Sequence, residues 1–283
     1  MSTAEPILTA QDVTCVFYTN LTRGRRSVVA CREVSFALHA GDCLAIVGES
    51  GSGKTTLVRI ATGLEQATSG SVTVGDVTVT GRMTRRLRKM LSSRIQMVFQ
   101  DPRSSFNRRL KVWQSVAEVM AAHGIGDRGT RRQAVERLFA EVGLGDRHLD
   151  ALPDQLSGGQ LQRVAIARAL AAEPDIIVLD EAVSALDVTV QAQILDLLAR
   201  LKTEKKLAYL FITHDLAVAN EIADEVMVMK AGEVVERGQT RELLTAPRDE
   251  YTRQLIASIP RPGWSPARRL PNQTKELAGG SNG

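Results

Sequence analysis

The chain is short of cysteine, has no excess of charge of either sign and lacks any long apolar run. Its 283 residues include three cysteines, Cys15, Cys31 and Cys43. Their number is odd, they form no Cys-x-x-Cys pair, and no histidine stands at metal-ligand spacing from them. A disulfide framework and a zinc site are therefore not expected, and the three read as small buried hydrophobes in a reducing compartment. Lysine and arginine (36) nearly balance aspartate and glutamate (32), for a net charge of +4. That is too little to make the whole chain a nucleic-acid binder by charge. No apolar run approaches the roughly 18 residues of a membrane span. The first six residues have neither a basic region nor an apolar one after it, so no secretory signal is expected and the expected location is the cytosol.

What is present is an ordinary globular composition, 43% hydrophobic and 24% charged, in a chain long enough to bury a sizeable core. Basic runs at 82–94, 103–111 and 128–132 read as solvated helix and loop faces. The first part is β-rich. Residues 34–38 alternate before a turn at 39–42, and Val72, Val74, Val77 and Val79 flank Gly75-Asp76 as in a tight hairpin. Residues from about 112 to 170 change to helical periodicity. Val112, Val116, Val119 and Met120 share one face, and Val135, Leu138, Phe139 and Val142 share another that Gly143 ends. A third helix is expected just after Gly158-Gly159. Residues 176–179 and 208–212 are continuous apolar runs, the pattern of parallel strands covered on both faces. Between them Val190, Ile194, Leu197, Leu198 and Leu201 repeat at helical spacing, and 226–235 reads as a hairpin broken by Ala231-Gly232. From about Trp264 the composition predicts a disordered tail.

Gly48-Glu49-Ser50-Gly51-Ser52-Gly53-Lys54-Thr55 fits G-x-x-x-x-G-K-[ST] in full, after the apolar run 43–47 and before Thr56 and a helix. Strand, glycine loop and helix N-terminus together make a phosphate cradle of backbone N–H groups. Lys54 is expected to reach the β- and γ-phosphates of a nucleotide, and the Thr55 hydroxyl to ligate Mg²⁺. Residues 176–179 lead directly into Asp180-Glu181. The carboxyl end of a buried parallel strand opens on the ligand crevice. Asp180 is thereby the candidate metal-side carboxylate and Glu181 the candidate to polarise an attacking water. No second loop of this kind and no internal repeat occur, so a single nucleotide-binding unit is expected.

Leu156-Ser157-Gly158-Gly159-Gln160 lies downstream, with Ser157 placed to cap a helix whose free N–H groups would attract an anion. This stretch and its continuation through Leu170 resemble the signature of the ATP-binding cassette (ABC) family. The resemblance covers nearly all of residues 8–262. It implies an α/β P-loop NTPase fold: a mixed β core, an antiparallel β subdomain, a helical subdomain at about 101–170 and a short C-terminal extension at about 238–262. It implies ATP hydrolysis with Mg²⁺ by two cassettes packed head to tail, Ser157, Gly158, Gly159 and Gln160 of one completing the ATP site of the other. Gln100 resembles the Q-loop glutamine that touches the metal or the water and marks the segment facing a membrane subunit. Residues 184–187 resemble the D-loop, placing Asp187 at the dimer interface, and His214 resembles the switch histidine that meets the γ-phosphate. Phe17 or Tyr18 is expected to stack on adenine. His39, His123 and His148 are expected to be structural.

The stretches 98–107, 183–195 and 246–260 resemble the ATPase subunits of oligopeptide, dipeptide and nickel importers. Two positions depart from that pattern, since Ala182 and Arg108 stand where proline is usual. The family implies a second ATPase (identical or different), two membrane permease subunits, an extracytoplasmic solute-binding protein and a peripheral place on the cytoplasmic face of the membrane, with no nucleic acid. An exporter ATPase, a non-transport ATPase acting on ribosomes or DNA, and a regulatory nucleotide sensor are the alternatives.

Overall fold

Continuous apolar runs become the middle of a sheet that is covered on both faces. The computed structural model describes residues 5–21, 24–79, 81 and 83–258; the expected disordered tail lies outside them. In chain order the strands are β1 (Leu8–Leu21), β2 (Gly24–Leu38), β3 (Cys43–Val47), β4 (Ser69–Val74), β5 (Val77–Val79), β6 (Ile95–Val98), β7 (Ile176–Asp180), β8 (Ala208–Thr213), β9 (Glu225–Lys230) and β10 (Glu233–Gln239). The helices are α1 (Lys54–Ala61), α2 (Arg85–Arg94), α3 (Pro102–Ser105), α4 (Val112–His123), α5 (Arg131–Glu141), α6 (Gly158–Leu170), α7 (Val188–Lys205), α8 (Leu216–Ile222), α9 (Thr240–Thr245) and α10 (Glu250–Ala257).

The main sheet runs β10-β9-β3-β8-β7-β6, parallel from β9 through β6, with β10 antiparallel at one edge. Every residue of β3, β7 and β8 is buried. Because side chains alternate across a strand, each strand feeds two cores. Cys43, Ala45 and Val47 of β3, with Tyr209 and Phe211 of β8, face a core shared with α4, α5 and α6. Leu44 and Ile46, with Leu210 and Ile212, face a second core closed by α1 and the antiparallel sheet β2-β1-β4-β5. Each fully buried aliphatic side chain of this kind contributes about 1.5–3 kcal/mol.

The alternation at 34–38 is the end of a much longer strand than its pattern shows. β2 pairs antiparallel with β1 from Leu38 opposite Leu8 to Gly24 opposite Leu21, with irregular register near Asp12. Asp12 and Glu33 adopt left-handed backbone angles there (φ 47° and 50°), and such bulges hide the two-residue period. The valine hairpin forms with Val74 opposite Val77. Between β6 and β7 the described residues form helices and turns without strands. The α4 stripe is buried at Val112, Val116 and Met120, with Val119 at its margin. Two boundaries differ from the sequence expectation. The apolar run Ile95–Phe99 ahead of Gln100 reads as one strand, but β6 ends at Val98 and leaves Phe99 38% exposed. The third helix starts at Gly158 and so includes both glycines, because Ser157 caps it. Cys15, Cys31 and Cys43 are free and buried, and burial pushes the Cys31 thiol up to about 11.

Candidate active site

β3 delivers the chain to the phosphate loop, and the neighbouring backbone dictates glycine at two of its positions. A Cβ on Gly48 would lie 2.1 Å from the Met229 carbonyl oxygen, and one on Gly53 would lie 2.0 Å from that of Ala30. Gly53 also has φ 103°, a conformation that other residues rarely adopt. The loop is thereby seated on the end of β9 and on β2. Gly232, in the β9–β10 turn, adds a hydrogen bond from its N–H to the Ser52 carbonyl (3.0 Å).

Lys54 opens α1 and is buried, with its ammonium donating to the Gly48 carbonyl (2.7 Å), the Glu49 carbonyl (2.8 Å) and Ser52 Oγ (3.4 Å). Burial lowers its pKa, and the nearby carboxylates of Glu181, Asp180 and Glu49 oppose that shift. Asp180 ends β7, and the Thr55 hydroxyl donates to its Oδ1 at 3.4 Å. Burial raises the Asp180 pKa and the charge of Glu181 raises it further, against the pull of Thr55, Arg59 and Lys54. A buried carboxylate beside a second carboxylate and a hydroxyl is a set of hard oxygen donors short of positive charge, which suits a divalent cation such as Mg²⁺. Among the described residues no group of three His, Cys, Asp or Glu could hold a metal alone.

Glu181 has φ 47°, which is strained for a side-chain-bearing residue. Its N–H donates to the Ile212 carbonyl, while its own carbonyl accepts from the N–H and the hydroxyl of Ser184. These bonds hold the bend that turns its carboxylate away from the strand. Gln100 Nε2 donates to Glu181 Oε2 (2.8 Å), and His214 Nδ1 lies 3.7 Å from Oε1. The ends of β3, β6, β7 and β8 thus gather Lys54, Thr55, Gln100, Asp180, Glu181 and His214. Glu49 and Ser50 stand exposed at the start of the loop, and Gly51 and Thr56 complete its course into α1.

Other expected residues lie elsewhere. Ser157 and Gln160 form a reciprocal capping box: Ser157 Oγ accepts from the Gln160 N–H (3.2 Å), and Gln160 Oε1 accepts from the Ser157 N–H (3.0 Å). Gly158 and Gly159 face the region that follows β7: their Cβ positions would come within 3.6 Å of Leu186 and 2.4 Å of Val190. Among the described hydrogen bonds none joins residues 157–160 to the phosphate loop of the same chain. Asp187 accepts from the Val190 N–H (3.0 Å) and caps α7. Phe17 and Tyr18 are 40% and 56% exposed on β1. Phe17 pairs with Val28, two residues before the Ala30 that abuts Gly53.

The sequence reading missed two contacts at these loops. The buried His148 accepts from or donates to the Gly145 backbone through Nδ1, and its Nε2 lies 3.3 Å from Gln160 Nε2. Tyr251 of α10 accepts a hydrogen bond from the Glu49 N–H (3.0 Å). Further arginines brace the segment after Gln100. Arg168 donates to the Ser105 carbonyl and hydroxyl and lies 4.2 Å over the Phe106 ring, while Arg103 donates to the Leu156 carbonyl.

A phosphate loop leaving a buried parallel strand, two carboxylates ending the strand two places away, and a capped glycine helix start that no described hydrogen bond ties to that loop define an ATPase of the cassette type. The family of ABC transporters matches residues 31–184, and the chain belongs to it. It is 42% identical over 258 residues to the di/tripeptide transport ATP-binding protein DppF of Pseudomonas aeruginosa, covering 90% of this chain and 80% of that one. It is 44% identical to the dipeptide transport ATP-binding protein DppF of Escherichia coli (83% and 70% covered) and 40% identical to the oligopeptide transport ATP-binding protein OppF of Streptococcus pyogenes (84% and 78%). Among solved structures, the dimeric post-hydrolysis state of the ATP-binding cassette MJ0796 bound to ADP and Pi superposes with a TM-score of 0.74 at 30% identity, covering 83% of this chain and 99% of that one. The structure of cbiO1 from Clostridium perfringens, part of the transporter complex cbiONQ, superposes with a TM-score of 0.73 at 26% identity (90% and 96% covered). The chain is an ABC-type ATPase.

Proposed function

We propose that this ATPase powers import of a peptide across the cytoplasmic membrane, as a peripheral subunit on the cytoplasmic face paired with a second ATPase and two permease subunits. The observation that carries this reading is the likeness, over more than four fifths of the chain, to ATP-binding proteins of dipeptide and oligopeptide transport. It is supported by a groove of about 660 Å³ beside Gln100, lined by Phe99, Asn107, Ser115, Glu118 and Val119, where a membrane subunit could dock.

In this reading the loop N–H groups and Lys54 bind the β- and γ-phosphates. The buried ammonium keeps its bond to the Gly48 carbonyl and exchanges its other partners, the Glu49 carbonyl and Ser52 Oγ, for phosphate oxygens, a stronger charge-assisted interaction. Mg²⁺, when bound, would neutralise charge between the phosphates, with Thr55, Asp180 and Gln100 as the residues to hold it. Glu181 polarises the attacking water, held by Gln100 on one oxygen and by His214 near the other. His214 senses the γ-phosphate, and Phe17 or Tyr18 stacks on adenine. Successive residues on a strand face opposite ways, so one of the two aromatics takes that part.

Because residues 157–160 lie apart from the phosphate loop of their own chain, they are assigned to the site of the partner ATPase, and Asp187 to the interface. Binding of ATP then draws two chains together and hydrolysis releases them, since the γ-phosphate is the group both halves would share. Co-purification with membrane subunits from the native cell, followed by identification of what the associated binding protein captures, tests the proposal. Recovery of a peptide-loaded binding protein and two permeases is the expected result. Recovery of ribosomal or DNA components alone would overturn it.

A further inference from the structure

The stretch 246–258 carries no nucleotide motif, yet its helix reaches the phosphate loop. Tyr251 is 6% exposed, and its phenol oxygen accepts the Glu49 N–H from 202 residues away. The ring is fixed from the other side by the Lys230 ammonium, 4.6 Å from its centroid. The turn into α10 is fixed as well. Asp249 Oδ1 accepts from the N–H groups of Tyr251 and Thr252, and the Glu236 carboxylate of β10 accepts from those of Arg248 and Asp249 (2.8 and 3.1 Å). Tyr251 is therefore presented by a braced element.

The bond it makes is to one particular peptide group. The N–H that Tyr251 accepts and the Gly48 carbonyl that accepts from Lys54 Nζ at 2.7 Å belong to the same planar unit, the Gly48–Glu49 peptide. In a trans peptide the N–H and C=O point in opposite directions and turn together. Rotating the unit away from Tyr251 would swing the carbonyl away from Lys54. We propose that Tyr251 is a positioning residue for ATP: through the Gly48–Glu49 peptide it sets the carbonyl that aims the Lys54 ammonium into the phosphate cradle. The C-terminal extension thus contributes to nucleotide affinity without touching nucleotide. This rests on the assignment of Lys54 to the phosphates.

The test uses the full-length chain with Tyr251→Phe, which keeps the ring, its packing and the stacked Lys230 and removes one oxygen. Losing one hydrogen bond at a partly buried site is expected to weaken ATP binding about threefold to tenfold. The KM for ATP should rise by the same factor, with kcat at saturating ATP within twofold of the parent and the melting temperature lowered by no more than about 2–4 °C. The Glu49 amide should exchange hydrogen faster, with β7 amides unaffected. Tyr251→Leu, which also loses the ring stack, should weaken ATP binding at least as much. Unchanged ATP affinity in Tyr251→Phe, with or without a fall in melting temperature, would overturn the proposal. Lys54→Ala separates the two levels: if it binds ATP normally, the assignment of Lys54 fails. If it loses ATP while Tyr251→Phe does not, only the positioning role fails.

Discussion

Replacing Glu181 with glutamine removes one charge and almost nothing else. The backbone bonds of residue 181 to Ile212 and Ser184 do not involve the side chain. The amide oxygen of a glutamine can still accept from Gln100 Nε2, now 2.8 Å from the carboxylate. The left-handed backbone at 181 is equally strained for either residue. The fold should therefore be unaltered, with a stability change within about 0.5 kcal/mol. The loss falls on the chemical step. A positioned carboxylate that takes or polarises a proton is worth roughly 10²–10⁴ in rate, or about 3–5 kcal/mol of barrier. Binding should move the other way. The Glu181 carboxylate acts on both Lys54 and Asp180 across the cradle, so its neutralisation removes repulsion toward an incoming polyphosphate, and ATP affinity should hold or rise. Steady-state phosphate release, equilibrium ATP binding and gel filtration with ATP measure the three consequences. Slow release, retained binding and a nucleotide-dependent dimer are expected. Phosphate release within threefold of the parent would refute the assignment of Glu181 as the residue that activates water.

Gly53→Ala should cost about 2 kcal/mol or more in chemical denaturation and weaken ATP binding, because its Cβ would meet the Ala30 carbonyl at 2.0 Å and its φ of 103° disfavours a side chain; full stability would show that the loop does not sit against β2. Ser157→Ala removes one half of the capping box and should cost about 1 kcal/mol. ATP binding by the single chain should be unaffected while ATPase activity of the dimer falls, and weakened binding by the monomer would argue against a site shared between chains. Asp180→Asn gives a pH-dependent prediction. Folding raises the Asp180 pKa from 3.8, so the folded state holds its proton more tightly and stability from this group falls as pH rises through that interval. Without nucleotide the asparagine variant should melt above the parent at pH 7 and lose that advantage below about pH 3. Equal advantage at both pH values would show that the effect is not electrostatic.

The parts of this molecule written in short, local patterns were legible in the sequence. The runs 176–179 and 208–212 announce parallel strands covered on both faces, because each residue has a core to enter, and 43–47 announces the strand that feeds the glycine loop. The glycine loop and the two carboxylates after β7 were local as well. What escaped depends on distance or on backbone angle. Nothing near Glu181 reveals its left-handed conformation, which is imposed by the Ile212 carbonyl and Ser184. The length of β1 and β2 was hidden by the irregular residues Asp12 and Glu33, which interrupt alternation. Ser157 and Gln160 stand at capping-box spacing, so this cap is legible in the sequence. The bond between Glu49 and Tyr251 pairs two residues that nothing in the sequence relates.

The two arginine braces behind Gln100 have a consequence for anyone recombining such ATPases. Arg103 grips the carbonyl of Leu156, just ahead of the helix start at Gly158, and Arg168, near the other end of that helix, grips Ser105 and covers Phe106. The surface stretch 102–106 and helix α6 are therefore a single transplantable block. A chimera that exchanges the surface stretch alone would leave the Arg168 guanidinium facing foreign side chains and would remove the Arg103 grip on Leu156, whereas one that carries 102–170 whole preserves both grips.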